Sequence, residues 1–276
     1  MNNRFEGWYF KHQKEGQTLA LIVGRAGDGA FLQAVTGDRS YGVGYPLAAY
    51  RKGSILRLGG SRFARNGIRL SVHSRDLELA GQLRYTQLSP IRGDIMGPFQ
   101  FLPMECRHTV VSMNHRLAGK VVLNGTPLDF TGGKGYIEGD SGRSFPKSYT
   151  WVQCSAFERD CSIMASAAHI PFGWSWFWGC ICVVLLEGVE YRLATYRGAV
   201  IRHRDEGRLL IVQGDLSLEV RFGRRRPGFA LDAPDRGRMS RSIREVPCAP
   251  ALFEFRQGGR VLFREESPFA SCEYVP

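Results

Sequence analysis

Ile170-Pro171-Phe172-Gly173-Trp174-Ser175-Trp176-Phe177-Trp178-Gly179-Cys180-Ile181-Cys182-Val183-Val184-Leu185-Leu186 is an uncharged run of 17 residues, the lower limit for a helix that crosses a bilayer. Pro171, Gly173 and Gly179 interrupt it, and Trp174, Trp176 and Trp178 recur every second residue. A period of two belongs to a strand, whose successive side chains point to opposite faces. The run therefore reads as a strand with its apolar residues in a barrel core or at a barrel mouth, in preference to a transmembrane helix.

Outward from this run the same period recurs in short segments at 7–11, 19–23, 30–35, 54–58, 68–73 and 78–85. It returns at 150–154, 162–168, 179–186, 190–196, 208–212, 216–222, 252–255 and 260–263. Turn signals separate them: Gly27-Asp28-Gly29, Asn66-Gly67 and Asn124-Gly125 supply the positive φ of tight hairpins. The fold class is all-β, in two antiparallel β-barrel halves with similar strand counts and no visible sequence repeat. Residues 90–112, the least strand-like part of the first half, are expected to form a crossover or mouth loop. The boundary is placed near residue 125, within fifteen residues or more, giving halves 1–125 and 126–276.

A hydrophobic share of 43% with 23% charged residues excludes a disordered chain. Seven cysteines without framework spacing, an odd count, point to a reducing compartment, and the cytoplasm is the expected location. The net charge of +11 is concentrated at Arg221, Arg224, Arg225 and Arg226 and at Arg236, Arg238, Arg241 and Arg244. These runs are read as solvated loops, with peripheral contact with an anionic membrane as the functional alternative. No helix-turn-helix, zinc-finger or ribonucleoprotein signature accompanies them, so nucleic acid is not an expected partner. Oligomeric state is left unassigned.

The densest chemistry lies in Gly135-Tyr136-Ile137-Glu138-Gly139-Asp140-Ser141-Gly142, read as a glycine-rich turn before an aromatic strand. Glu138 and Asp140 are two apart and share a face of any extended segment. They are either turn residues paired with Arg143 or Lys147, or carboxyls in an apolar cavity where desolvation and mutual repulsion keep one protonated as an acid. Glu105, Arg107 and His108 form a second polar cluster, read first as an ion pair. Trp8, Tyr9, Tyr149 and Trp151 are core residues or the aromatic lining for a carbocation. Trp151 is assigned to the cavity beside Gln153, and Tyr149 to the opposite face.

Phe5-Glu6-Gly7-Trp8-Tyr9-Phe10 and Ser144-Phe145-Pro146-Lys147-Ser148-Tyr149-Thr150-Trp151-Val152-Gln153-Cys154 together resemble the tocopherol cyclase family. Members of that family carry an N-terminal Glu-Gly-Trp-Tyr-Phe strand and a central Ser-Phe-Pro-Lys-x-x-x-Trp-Val-Gln-Cys segment. The resemblance implies lipocalin-like halves and an isomerase that joins a phenol to a prenyl alkene. It extends to acid-catalysed cyclisation or isomerisation of a prenylated or similar hydrophobic small molecule, with Asp140 and Glu138 as catalytic carboxyls. Trp8, Tyr9, Phe145, Tyr149, Trp151 and Gln153 would contact the substrate, and neither cofactor nor metal is expected. The alternatives are a non-catalytic carrier of a hydrophobic ligand and an alkene hydratase on the same scaffold.

Other motifs carry less. Gly139-Asp140-Ser141-Gly142 echoes a serine-protease nucleophile, but Ala167-Ala168-His169 follows it where that family's histidine precedes. Gly132-Gly133-Lys134-Gly135 lacks the Ser or Thr of a phosphate loop, and His108 with His115 has no metal-ligand spacing.

Overall fold

In the computed structural model, which describes residues 3–27, 29–223 and 227–276, alternation of side-chain character becomes two antiparallel sheets. The first sheet holds β1 (Phe5–Lys14), β2 (Gln17–Ala26), β3 (Gly29–Thr36), β4 (Ser40–Pro46), β5 (Tyr50–Arg51) and β6 (Leu56–Leu58). It continues with β7 (Ser61–Ala64), β8 (Gly67–His73), β9 (Glu78–Thr86), β10 (Cys106–Leu123), β11 (Thr126–Asp129) and β12 (Lys134–Gly142). The second holds β13 (Tyr149–Cys154), β14 (Cys161–Phe172), β15 (Ser175–Leu186), β16 (Val189–Ala194) and β17 (Val200–Arg204). It ends with β18 (Arg208–Gln213), β19 (Leu216–Phe222), β20 (Phe229–Asp235), β21 (Arg238–Gln257) and β22 (Arg260–Val275). No helix among the described residues is long and apolar enough to cross a membrane.

The sheet orders are β4-β3-β2-β1-β12-β10-β9-β8-β7-β6-β5 and β16-β15-β14-β13-β22-β21-β19-β18-β17, with β11 beside β10 and β20 beside β21. In each sheet the first strand pairs with the last, β1 with β12 and β13 with β22. Neither path is closed by backbone pairing of its edge strands among the described residues. In the second sheet a side chain spans the gap: Gln213 on β18 accepts from Ala194 N–H (3.0 Å) and donates to Arg192 C=O (3.2 Å) on β16. Two antiparallel sheets, rather than two closed barrels, are what the pairings establish.

Two compact units contain these sheets: Met1–Pro90 with His108–Ser144 and Leu231–Arg241, and Ile91–Arg107 with Phe145–Ala230 and Ser242–Pro276. The chain leaves the first sheet after Gly142 and enters the second at Tyr149. Asn124-Gly125, near which the boundary was expected, is a hairpin turn with φ of 48° and 81°. The Asp28 turn signal and Arg224, Arg225 and Arg226 lie outside the described residues.

Three expectations are corrected. Residues 106–112 open the long strand β10 instead of belonging to a loop, and Arg238, Arg241 and Arg244 lie on β21. Arg238, Ser240, Ser242 and Arg244 fill the exposed half of the alternation, and Arg241 on the other half breaks the apolar pattern that would mark a strand. Gly135 to Gly142 is part of strand β12, not a turn. Two of its glycines are there for space: a Cβ on Gly135 would lie 2.1 Å from His115 Nε2, and one on Gly139 would lie 2.7 Å from the Trp8 ring.

The first unit encloses Phe10, Leu21, Leu32, Phe63, Leu83, Phe130 and Ile137, and the second Val152, Ile163, Cys182, Leu209, Phe253 and Phe255. None of the seven cysteines is joined in a disulfide. Two histidines are buried within the first unit. His12 Nδ1–H donates to Leu19 C=O (3.0 Å), so its Nε2 accepts from the Tyr85 hydroxyl (2.5 Å). His115 lies against the Tyr85 ring at 4.5 Å between centroids. Burial lowers His12 to about 4 despite the Leu19 bond, and burial together with His12 lowers His115 to about 3. Depressed folded-state values give stability that is present above the ordinary 6.5 and is lost as pH falls toward 4. For His12 the effect is on the order of 3 kcal/mol. Denaturant midpoints are expected to fall between about pH 7 and about pH 5, and to fall less in His12→Leu; equal slopes would refute this assignment.

Candidate active site

Strand alternation on β12 sends Ile137 into the first unit's core and Tyr136, Glu138 and Asp140 to the opposite face. His108 on β10 meets them there. Its Nδ1–H donates to Asp140 Oδ1 at 2.9 Å, and its Nε2 lies 3.2 Å from Glu138 Oε2. The second contact has ion-pair distance but not hydrogen-bond alignment, which leaves the buried Nε2 without a directed acceptor. The Tyr136 hydroxyl donates to Glu138 Oε2 at 2.5 Å. The side chains of His108 and Glu138 are only 11% and 6% exposed, so their attraction is weakly screened.

Desolvation is the largest single influence on His108 and opposes its charged form. The charges of Asp140 and Glu138, with the Asp140 hydrogen bond, together overcome it and raise His108 well above its ordinary 6.5. Burial first, then the Glu138 charge and bond, raises the Tyr136 phenol well above 10, so it stays a donor. The donor atoms of His108, Glu138 and Asp140 lie within 4.8 Å of one another, a spacing that would also suit a metal ion. In this arrangement the imidazolium supplies the positive charge that two neighbouring carboxylates require.

The expected site residues divide between the units. Tyr9 pairs directly with Glu138 and shares its face, with buried Lys11 opposite Tyr136. Trp8 points to the other face, where its Nε1–H donates to Glu6 Oε1 (3.3 Å) and Lys52 Nζ stands 5.1 Å over its ring. Trp8 is therefore separated from the two carboxylates by the thickness of the sheet.

Phe145, Tyr149, Trp151 and Gln153 belong to the second unit. Val152 and Cys154 enter that unit's core, and Tyr149, Trp151 and Gln153 share the opposite face. The assignment of Tyr149 and Trp151 to opposite faces is corrected, because residues two apart on a strand point the same way. Phe145 meets Tyr149 edge to face at 6.2 Å, and Gln153 Nε2 donates to Ser155 Oγ at 3.2 Å. The Tyr149 hydroxyl donates to Glu273 Oε2 at 2.5 Å, and Glu273 stands directly opposite the fully buried Glu245. Directly opposed carboxylates disfavour each other when both are ionised, so Glu245 and Glu273 form a second acidic pair beside an aromatic strand.

A cavity of about 640 Å³ also lies in the first unit, bounded by Phe31, Gln33, Val43, Asp232, Arg238 and Met239 among others. None of its lining residues belongs to the His108 group, so volume and chemistry do not coincide there.

Comparison with known proteins covers the segment that carries this chemistry. Residues 80–200 match the tocopherol cyclase-like family. This part of the chain is tocopherol cyclase-like. The cyclase-like segment contains His108, Tyr136, Glu138, Asp140, Tyr149, Trp151 and Gln153, and leaves β1, Glu245 and Glu273 outside. No curated protein sequence matches the chain. Among solved structures it is similar to CghA, with TM-score 0.62, 8% identity and coverage of 99% of this chain and 88% of that one. CghA has also been solved with Sch210972. Kievitone hydratase from Nectria haematococca gives TM-score 0.57 and 9% identity, covering 98% and 88%. An AttH candidate from Nitrosomonas europaea gives 0.54 and 12%, covering 99% and 93%. At these identities the likeness establishes a shared fold.

Glu138 and Asp140 were legible from their spacing, and Tyr136 extends the same every-second-residue pattern. His108 sits on another strand 30 residues earlier, and only the sheet brings it between them. Replacing His108 by Gln should cost about 3 kcal/mol, because it leaves two buried carboxylates without their cation. A raised folded-state value gives stability that is fully present below 6.5 and lost as pH rises through that value. The melting difference between wild type and His108→Gln should therefore shrink at alkaline pH, and a difference that grows there would contradict the ion-pair assignment.

Proposed function

We propose that this chain is an isomerase-type acid–base catalyst. On two lipocalin-like halves, it would cyclise or shift a double bond in a prenylated or similar amphipathic hydrophobic small molecule. The observation that carries the reading is His108 held between Asp140 and Glu138. Ring closure onto an alkene, or migration of its double bond, takes up one proton and gives one back. A catalyst for it needs a donor, an acceptor and a path that resets them.

Asp140, which carries one solvent-derived proton in the reactive state, delivers it to the alkene carbon, and the imidazolium at 2.9 Å stabilises the carboxylate left behind. Glu138, held by the Tyr136 hydroxyl, accepts the proton released from the ligand hydroxyl or neighbouring carbon. Loss of the Glu138 proton to solvent and reprotonation of Asp140 from solvent restore the starting state. Tyr9, beside Glu138, offers a π face to the developing cation. Hydration of the alkene is the second reading, favoured by the fold shared with kievitone hydratase; water then replaces the internal hydroxyl after the same protonation.

Turnover of a prenylated hydroquinone in D₂O tests the reading. The product should carry one solvent deuterium at the protonated carbon. His108→Gln and Asp140→Asn should each lower kcat by on the order of 10²-fold or more while leaving ligand affinity nearly unchanged. Tight binding without conversion in the wild type would establish a carrier instead, and wild-type rates in both variants would remove this group from the chemistry.

A further inference from the structure

We propose that the hairpin between β14 and β15 docks the protein on an anionic lipid surface, its tip entering the headgroup region of the bilayer. Phe172-Gly173-Trp174-Ser175 forms the turn, with Gly173 at φ 59°. Trp174 is fully exposed at 106% and Phe172 half exposed at 51%. An exposed tryptophan at a hairpin tip has no packing role, and no Asp, Glu, Lys or Arg occurs between Asp160 and Glu187 to keep the tip in water. The indole, with an apolar body and one N–H, is the side chain enriched at membrane interfaces.

The rows behind the tip change character in the order a headgroup layer requires. His169 lies 5.2 Å from both Trp176 and Trp178. Lys147 Nζ stands 5.6 Å over Trp176, and the Arg204 guanidinium stands 4.6 Å over Trp178 and 4.8 Å over Tyr274. At about 3.3 Å per residue along a strand, Trp176 and Trp178 are roughly 7 and 13 Å behind Trp174. Aromatic groups thus lead and cations follow, matching an apolar face that sinks about 5–10 Å below charged headgroups. A formal charge of +11 provides the long-range attraction to that surface.

Phe101, 84% exposed, adds a further aromatic from the turn Gly97–Phe101, which meets β15 through Phe99 and Phe177 at 6.1 Å. An aromatic and cationic ladder can also stack on single-stranded nucleic acid. The uncharged tip ahead of the ladder has nothing to contact on a phosphate backbone, which favours the bilayer. The inference is independent of the chemistry at His108.

Cosedimentation and tryptophan fluorescence with vesicles of phosphatidylcholine, and of phosphatidylcholine mixed with phosphatidylserine, test it on the full chain. The wild type should bind the mixed vesicles with a blue-shifted emission. The double variant Phe172→Ser, Trp174→Ser should lose about tenfold or more in binding while keeping its melting temperature, since both side chains are exposed. Lys147→Gln should weaken binding to the mixed vesicles only. The proposal is overturned by no binding to mixed vesicles, by equal binding to both compositions, or by a double variant that binds as wild type. Capture of single-stranded DNA, or self-association, that depends on Trp174 in place of vesicle binding would overturn it as well.

Discussion

The pairing of first strand with last is the constraint on which both sheets depend. In each unit a meander begins at β1 or β13, and the chain must return to that strand before the sheet is complete. Phe5 stands opposite Gly142 and Gln13 opposite Lys134, and Tyr149 stands opposite Val275. A one-residue slip in either ladder would turn every side chain to the wrong face. In β12 that slip would drive Glu138 into the core and bring Ile137 out. The returning strands are therefore the places where fold and chemistry share one register.

The same constraint puts the two polar groups at the returning strands. His108, Tyr136, Glu138 and Asp140 lie on β10 and β12, while Tyr149, Glu245 and Glu273 lie on β13, β21 and β22. The first group lies on the returning strand β12 and its neighbour β10, and the second spans the joint of β13 with β22 and continues to β21. Strands there have neighbours on both edges, so their backbone groups are satisfied and their side chains are held with little freedom. Carboxylates at fixed short distances, impractical on a hairpin tip, become possible.

Much of this was legible in the sequence where one face is wet. Segments 68–73 and 78–85 fall within strands where apolar and polar residues largely alternate, and 19–23 and 30–35 fall within strands as short apolar runs bounded by turn signals. β12 and β10 were missed because they break that rule for physical reasons. Gly135 and Gly139 leave room for the His115 and Trp8 rings and so imitate a turn. β1 is buried on both faces from Tyr9 to Gln13, so its polar residues gave no sign of which side holds the core. The pairing of Glu138 and Asp140 was open to a reader of residues; their meeting with His108 depended on a strand neighbour that no local pattern names.

Three histidines of the first unit show how partners decide what burial does. His12 and His115 are surrounded by Leu19, Tyr85, Ser112 and Phe130, which offer dipoles and rings but no charge. Desolvation then prevails, and both stay neutral at every physiological pH. His108 suffers the same desolvation, yet two carboxylates within 3.2 Å reverse its sign. The fully apolar alternative at that position would be as stable or more so, since buried ion groups rarely repay their desolvation. A charged histidine retained between two acids, on a strand fixed by pairing on both sides, is a stability sacrifice that a purely structural sheet would have no reason to keep. The proposed proton transfer would give it one.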